Sequence, residues 1–469
     1  MNPTDYRSYR GLPTVAGIAT LEEASRIGLS IEDCVGRLKR HHWIFRRLHE
    51  TFVKNLPSEP IYELKMIYSL HAHYCAEHAA VWRKRVAEMR EPPLGLDHAP
   101  GAALDMVFDE LLAAPSKDAL LAGAYEVVLP ELCAALQKHM AETNHLVDHP
   151  SFRMCRFALI EVQEMIGTGG KCVAQLLDAK ARQTIAPWLE FLRGLLTSED
   201  DKAPLPPRRF SAKPPMFDPV PRRDERFPDP YNMGVHAEVF LYDETMPPEP
   251  KTLMMYYKRL REIDVPEMMA SIIAETTGKP WDYYVDMTRQ LWDEARHAMM
   301  GEVGFVRAGL DWQRLVRVNF TWSLALNTQL KPLERHAVLY FIEQGLMPKT
   351  GKRFEWEVGI ASGDPYSSMI QDYDWADEVL HARIGRDWYV AEMGDSRKAT
   401  EYGDQCWSRV LIDWKSYKAK GLTKHENWWP ALYREWCRVQ GRTPDPRVLA
   451  YATTYETARA DLGEISVSG

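Results

Sequence analysis

Three Glu-x-x-His tetrads occur in the sequence: Glu142/His145, Glu294/His297 and Glu378/His381. In a helix, positions i and i+3 share a face about 5–6 Å apart, so a carboxylate and an imidazole at that spacing can ligate one metal ion together. With 37 Glu and 15 His among 469 residues, roughly one such tetrad is expected by chance, so the bare spacing is not informative. Context must separate the copies.

Register supplies the first test. In an antiparallel pair of helices, residues equidistant from the turn lie at the same height. Glu262 stands 16 residues before Gly278 and Glu294 stands 16 after it. At 1.5 Å per residue both lie about 24 Å from the turn, well inside a helical hairpin. Glu343 precedes Glu378 by 35 residues, with Gly363-Asp364-Pro365 near the midpoint. A Glu on one helix followed by Glu-x-x-His on the next is thus present twice. The tetrad at Glu142 fails: Glu110, the acid 32 residues before it, lies beside the turn signal Pro115-Ser116-Lys117-Asp118. The second test is the preceding residue. Asp293 and Asp377 precede the paired tetrads, whereas Ala141 precedes the third. A metal-bound imidazole usually donates its other N–H to a carboxylate, which fixes its tautomer and ring orientation. Asp293 is therefore expected on His381, and Asp377 on His297.

These residues need long helices to carry them. Apolar residues recur at helical spacing over 58–91, 118–145 and 152–195, and strand-like alternation with Asn-Gly or Asp-Gly turns is absent. The chain is expected to be all-α. Four long segments are expected in the C-terminal half: Lys251 to Glu275, Trp281 to Ala308, Pro332 to Ala361 with a break at Gly345 to Gly351, and Ser367 to Met393. Pro266 must kink the first. Were that helix to start there, Glu267 would replace Glu262; Glu334 is the substitute for Glu343. Nine of the 31 prolines fall between Pro204 and Pro230, which forbids regular helix. The expected organisation is a tail (1–30), a helical N-terminal domain (31–198), a Pro-rich linker (199–235), a four-helix bundle (236–400) and a helical extension (401–469).

One Glu from each of two helices plus Glu-x-x-His from each of the other two resembles the ligand set of ferritin-like di-iron or di-manganese carboxylate proteins. The string Asp293-Glu294-Ala295-Arg296-His297-Ala298 is similar to the corresponding helix of rubrerythrins and bacterioferritins. The four-helix bundle of the ribonucleotide reductase small subunit is of the same type. The resemblance covers about 236–395. It implies Glu262 and Glu343 as terminal ligands, Glu294 and Glu378 as bridges, and one ion on each of His297 and His381. Two Fe ions are the implied cofactors, with Mn/Fe as the alternative. The implied activity is O2-dependent oxidation or oxygenation of a small organic substrate. An electron-donor reductase and a homodimer are the protein partners this reading leaves open. A ferroxidase or metal-handling protein, a metal-free helical scaffold and a dimetal hydrolase are the competing classes.

Composition agrees with a globular, 45% hydrophobic and 26% charged chain. A net charge of −8 gives no reason to expect nucleic acid or an anionic membrane as partner. Neither a leader peptide nor an uninterrupted apolar span of about 18 residues is evident, and the seven Cys include no C-x-x-C, so a reduced cytoplasmic setting is expected. Other features have plainer readings. Gly167-Thr168-Gly169-Gly170-Lys171 lacks the spacing of a phosphate loop and reads as a helix break. The basic run Arg37, Lys39, Arg40, Arg46, Arg47 reads as a solvated helix face. His71, His73, His78 and Glu77 read as satisfied polar groups, Tyr256, Tyr257, Tyr340 and Trp292 as packing, and Arg296 as pointing outward.

Overall fold

The apolar positions at helical spacing do form helices in the computed structural model, which describes residues 5–90, 95–197, 204–412 and 414–458. Every regular element among them is helical, as expected for an all-α chain. The ends of the expected linker (199–203) and extension (459–469) lie outside the described residues. Two compact units emerge: Met1–Phe52 with His71–Phe217, and Val53–Leu70 with Asp218–Gly469. Residues 53–70, expected with the N-terminal domain, thus belong with the second unit. Pro57 O accepts from Arg222 N at 3.0 Å, Lys65 pairs with Glu267 at 2.8 Å, and the Tyr62 ring packs on Phe227 and Trp312.

The first unit is built on α1 (Ile31–Asn55) and α2 (Tyr62–Glu88), both crossing its boundary, then α3 (Ala102–Leu112), α4 (Lys117–Glu142, with a π-helical turn at Gly123–Val128), α5 (His149–Leu176) and α6 (Ala179–Leu196). Helix α4 is long and apolar enough to cross a membrane, yet most of its apolar stretch is buried inside the protein. Helix α5 corrects one expectation: it runs unbroken through Gly167–Lys171. A Cβ at Gly169 would fall 2.0 Å from the Tyr125 ring, so this glycine admits a neighbouring aromatic rather than ending a helix. The stretch after Pro204 stays non-helical as expected, tied down where the Glu110 carboxylate accepts backbone N–H groups from Arg209, Phe210 and Ser211 at 2.8–3.1 Å.

In the second unit the expected first segment is two helices, α7 (Pro248–Arg261) and α8 (Asp264–Glu275). Pro266 has no N–H to give the Glu262 carbonyl, so the ladder stops there and Glu262 becomes the residue that closes α7. After Gly278, whose φ of +76° only glycine adopts readily, α9 (Trp281–Arg307) returns alongside both. Then come α10 (Thr321–Gln329), α11 (Pro332–Gly345), α12 (Lys352–Ala361), α13 (Pro365–Gly385), α14 (Ser396–Ile412) and α15 (Trp429–Val439). Helix α9 packs on α7, α8 and α13, helix α13 on α11 and α12, and these on α8 and α7 in turn, so four long segments close a ring. Gly301 sets the tightest approach. A Cβ there would lie 2.3 Å from Leu260 N and 2.4 Å from Tyr256 O, so only glycine lets α9 lie this close to α7, next to Glu262. Leu260, Tyr257, Ala295, Ala298, Phe305, Trp428 and Trp429 form the surrounding core.

Candidate metal centre

Inside the ring, α9 contributes Glu294 and His297, α13 contributes Glu378 and His381, α11 contributes Glu343, and the end of α7 contributes Glu262. The six residues expected from the sequence meet in two overlapping groups, Glu294/Glu343/Glu378/His381 and Glu262/Glu294/His297, with ligand atoms in each group within 4.8 Å of one another. His297 Nδ1 lies 3.5 Å from both Glu262 and Glu294. His381 Nδ1 lies 3.1 Å from Glu294, 3.7 Å from Glu378 and 4.0 Å from Glu343. The opposite ring nitrogens face the aspartates: His297 Nε2 is 3.1 Å from Asp377 and His381 Nε2 is 3.4 Å from Asp293. Each Asp therefore reaches across to the His of the other helix. An imidazole donating from Nε2 to Asp keeps its Nδ1 lone pair for a cation.

Arg296 is not directed outward. Its guanidinium bridges Asp293 and Asp377, the latter at 2.8 Å, and so ties the two aspartates together across the helix pair. The residues expected as alternatives to Glu262 and Glu343 are engaged elsewhere. Glu267 pairs with Lys65, Arg223 and Ser323. Glu334 caps α11 through Lys331 N at 2.7 Å and holds Arg409. The third tetrad is dispersed, with Glu142 on Arg37 and His145 Nε2 at 3.1 Å from the Met140 carbonyl.

Do these residues fit a metal? Glu262 Oε2, Glu294 Oε1, His297 Nδ1, Glu343 Oε2, Glu378 Oε2 and His381 Nδ1 are all buried without a hydrogen bond. The short contacts among them are not aligned as hydrogen bonds. One orphaned atom on each of six converging residues is the pattern a cation would satisfy, since an unpaired buried polar atom costs about 1–3 kcal/mol. The donors, carboxylate oxygen and imidazole nitrogen, suit Fe(II) or Mn(II). The protonation preferences point the same way. Burial, then the Glu378 and Glu294 charges, push the Glu343 carboxyl well above its ordinary range. Burial opposes protonation of His297, yet Asp377, Glu262 and Glu294 raise it to about 10, and Asp293 and Glu294 act likewise on His381. The centre is short of positive charge.

Four residues at the centre were not singled out from sequence. Asp374, one turn before Glu378, is fully buried with an oxygen 3.4 Å from His297 Nδ1. Its i, i+4, i+7 relation to Glu378 and His381 was a readable signal. Gln290, one turn before Glu294, donates to Glu343 at 3.1 Å. Lys352 Nζ contacts Glu378 at 2.8 Å and both Asp374 oxygens at 2.9 and 3.0 Å. Arg259 reaches Glu262 at 2.9 Å and also Asp374. Burial works against it, but Arg259 and Lys352 draw the Glu262 carboxyl down to about 2.

A cavity of about 400 Å³ opens onto the carboxylates of Glu262, Glu294, Glu343 and Glu378. Its wall is mostly apolar, with Met268, Leu326, Ile342, Leu346, Trp322 and Trp407. Its polar side includes Arg261, which pairs with Glu238 at 2.6 Å and keeps a second nitrogen, Nη1, buried without a partner. Comparison with family models, with curated proteins and with solved structures gives no match.

Proposed function

We propose that this chain is an O2-activating non-haem di-iron oxidase or oxygenase of the ferritin-like carboxylate type, acting on a small, mainly apolar organic substrate. The observation that carries the reading is the cavity that runs to the four glutamates, because a storage or scaffold protein has no need of a chamber at its ligands. The ring of four segments, with Glu on two and Asp-Glu-x-x-His on two, supports the ferritin-like resemblance. Two Fe ions, or an Mn/Fe pair, supply when bound the electrons and open coordination positions that O2 reduction requires. Glu262, Glu294, His297, Glu343, Glu378 and His381 hold them. Asp293 and Asp377 fix the imidazole orientation, and Arg296 fixes the aspartates. The apolar wall excludes water and receives the body of the substrate, while Arg261 Nη1 offers one donor to a polar substituent.

Anaerobic Fe(II) titration to saturation, followed by O2 exposure, tests this reading. Binding that approaches two Fe per chain and O2 consumption that rises with an organic substrate are expected. Absence of bound Fe(II), or binding unchanged in Glu294→Ala and Glu378→Ala, would sink it. Repeated Fe(II) oxidation with no organic substrate would convert the reading to a ferroxidase, and activity retained without O2 to a hydrolase.

A further inference from the structure

We propose that the two halves of the centre are unequal and fill in order. Glu294, Glu343, Glu378 and His381 take a divalent cation directly, whereas the half built on Glu262, His297 and Asp374 is held by the Lys352 ammonium, which a second cation must displace. This rests on the metal reading above and adds to it an order of binding and a residue that sets it.

The asymmetry is visible atom by atom. Glu378 Oε1 is taken by Lys352 at 2.8 Å, while Oε2, on the side of His381 Nδ1, is free of hydrogen bonds. Lys352 would therefore compete with a second cation for Glu378 Oε1. Asp374 presents both oxygens to the same ammonium at 2.9 and 3.0 Å, and one of them also lies 3.4 Å from His297 Nδ1. Glu262 Oε1 forms an ion pair with Arg259 at 2.9 Å that is not aligned as a hydrogen bond, with Lys352 at 3.9 Å. Lys352 and Arg259 are both fully buried, so neither cation can be screened by water. On the other half, Glu343 meets the neutral Gln290 amide, the His381 ring and the Glu378 carboxylate. The half whose oxygens face both buried cations repels a further dication more than the half in which a single Glu378 oxygen faces Lys352.

Lys352 occupies this place because of the break after α11. The chain turns at residues 346–351, Gly351 packs with no room for a Cβ (2.2 Å from the Leu346 carbonyl oxygen), and α12 begins at Lys352 with its side chain turned into the ring. The same break that ends α11 just beyond Glu343 therefore delivers the competing ammonium.

The test is Mn(II) titration of the full-length chain, with bound and free ion counted by electron paramagnetic resonance. In the wild type the first equivalent should bind at least tenfold more tightly than the second, as an isolated Mn(II). Lys352→Met should bring the second affinity to within about threefold of the first and yield a spin-coupled pair, and Lys352→Arg should preserve the wild-type order. Glu343→Gln and His297→Gln make the test independent of how well Lys352→Met folds. Glu343→Gln should weaken the first equivalent at least tenfold, and His297→Gln should leave it unchanged. Two equal, coupled equivalents in the wild type would overturn the proposal and leave the dimetal reading intact. Equal weakening of the first equivalent by Glu343→Gln and His297→Gln would also overturn it. Absence of Mn(II) binding in every form would overturn both.

Discussion

Asp377→Asn, with Asp293→Asn as its counterpart, probes how the imidazoles are held. Asp377 accepts from His297 Nε2 at 3.1 Å and from Arg296 at 2.8 Å. Asparagine keeps the shape but removes the charge, and its amide can face the imidazole with a donor, which favours the tautomer that loses the Nδ1 lone pair. A hydrogen bond to a charged group contributes about 1.5–3 kcal/mol, and each 1.4 kcal/mol is tenfold in affinity. The expected loss is therefore roughly 10–100-fold, in the range typical of groups that orient metal ligands. Because His297 and His381 belong to different halves, the two variants should act on different equivalents. Asp377→Asn should weaken the second ion and leave the first within about threefold, and Asp293→Asn should weaken the first. Calorimetric Mn(II) titration at neutral pH reads both, with thermal melting as the check on folding. An unchanged isotherm for Asp377→Asn, or the same isotherm for both variants, would refute the assignment of the two aspartates.

Further outcomes follow from the packing. Gly301→Ala should destabilise the protein by about 1–3 kcal/mol, because the added methyl meets the backbone of α7 rather than a movable side chain; thermal melting measures this. Glu267→Gln should leave metal stoichiometry unchanged yet destabilise by about 3 kcal/mol, since buried Lys65 and Arg223 lose part of their compensation; Glu262→Gln should show the opposite pattern in metal analysis. Leu346→Trp, which fills cavity volume, should lower turnover of an organic substrate while metal content holds. Acid should weaken the first unit early. Burial lowers His49 to about 4 and His71 to about 3. Both therefore remain neutral in the folded chain while the unfolded chain gains protons below about pH 6.5. Stability should fall as pH drops from about 6.5 toward 4, by roughly 2 kcal/mol per histidine at pH 5; pH-dependent melting with His71→Phe as comparison tests it.

The six converging residues were legible because helix geometry is local. A rise of 1.5 Å per residue and a shared face at i, i+3 place Glu294 beside His297, and equal distances from Gly278 level Glu262 with Glu294, with no knowledge of the fold needed. Proline chemistry was equally local: the missing N–H of Pro266 ends the ladder at Glu262. Gly167–Lys171 was misread because glycine carries two meanings, a flexible backbone or an absent Cβ. Only the Tyr125 ring, brought from another helix, shows that the second applies at Gly169. Arg296 was misread for a related reason. Helical spacing gives the direction of its Cβ but not the position of Asp377, 81 residues away, which draws the guanidinium back across the interface.

By itself the sequence determined an all-α chain, the ends of the helices that matter and the six residues that converge, since each depends on backbone periodicity or on a single residue's stereochemistry. Tertiary structure decided what else enters the centre. Lys352 carries no periodic relation to Glu262, Asp374 or Glu378, and it reaches them only because the six-residue break between α11 and α12 starts a new helix at Lys352 and buries its ammonium among their oxygens. The chamber at the glutamates arises in the same way, from Met268, Leu326, Ile342, Leu346, Trp322 and Trp407 on separate segments. Long-range electrostatics and cavity shape depend on distances between segments, and those distances are a property of the packed fold rather than of any stretch of chain.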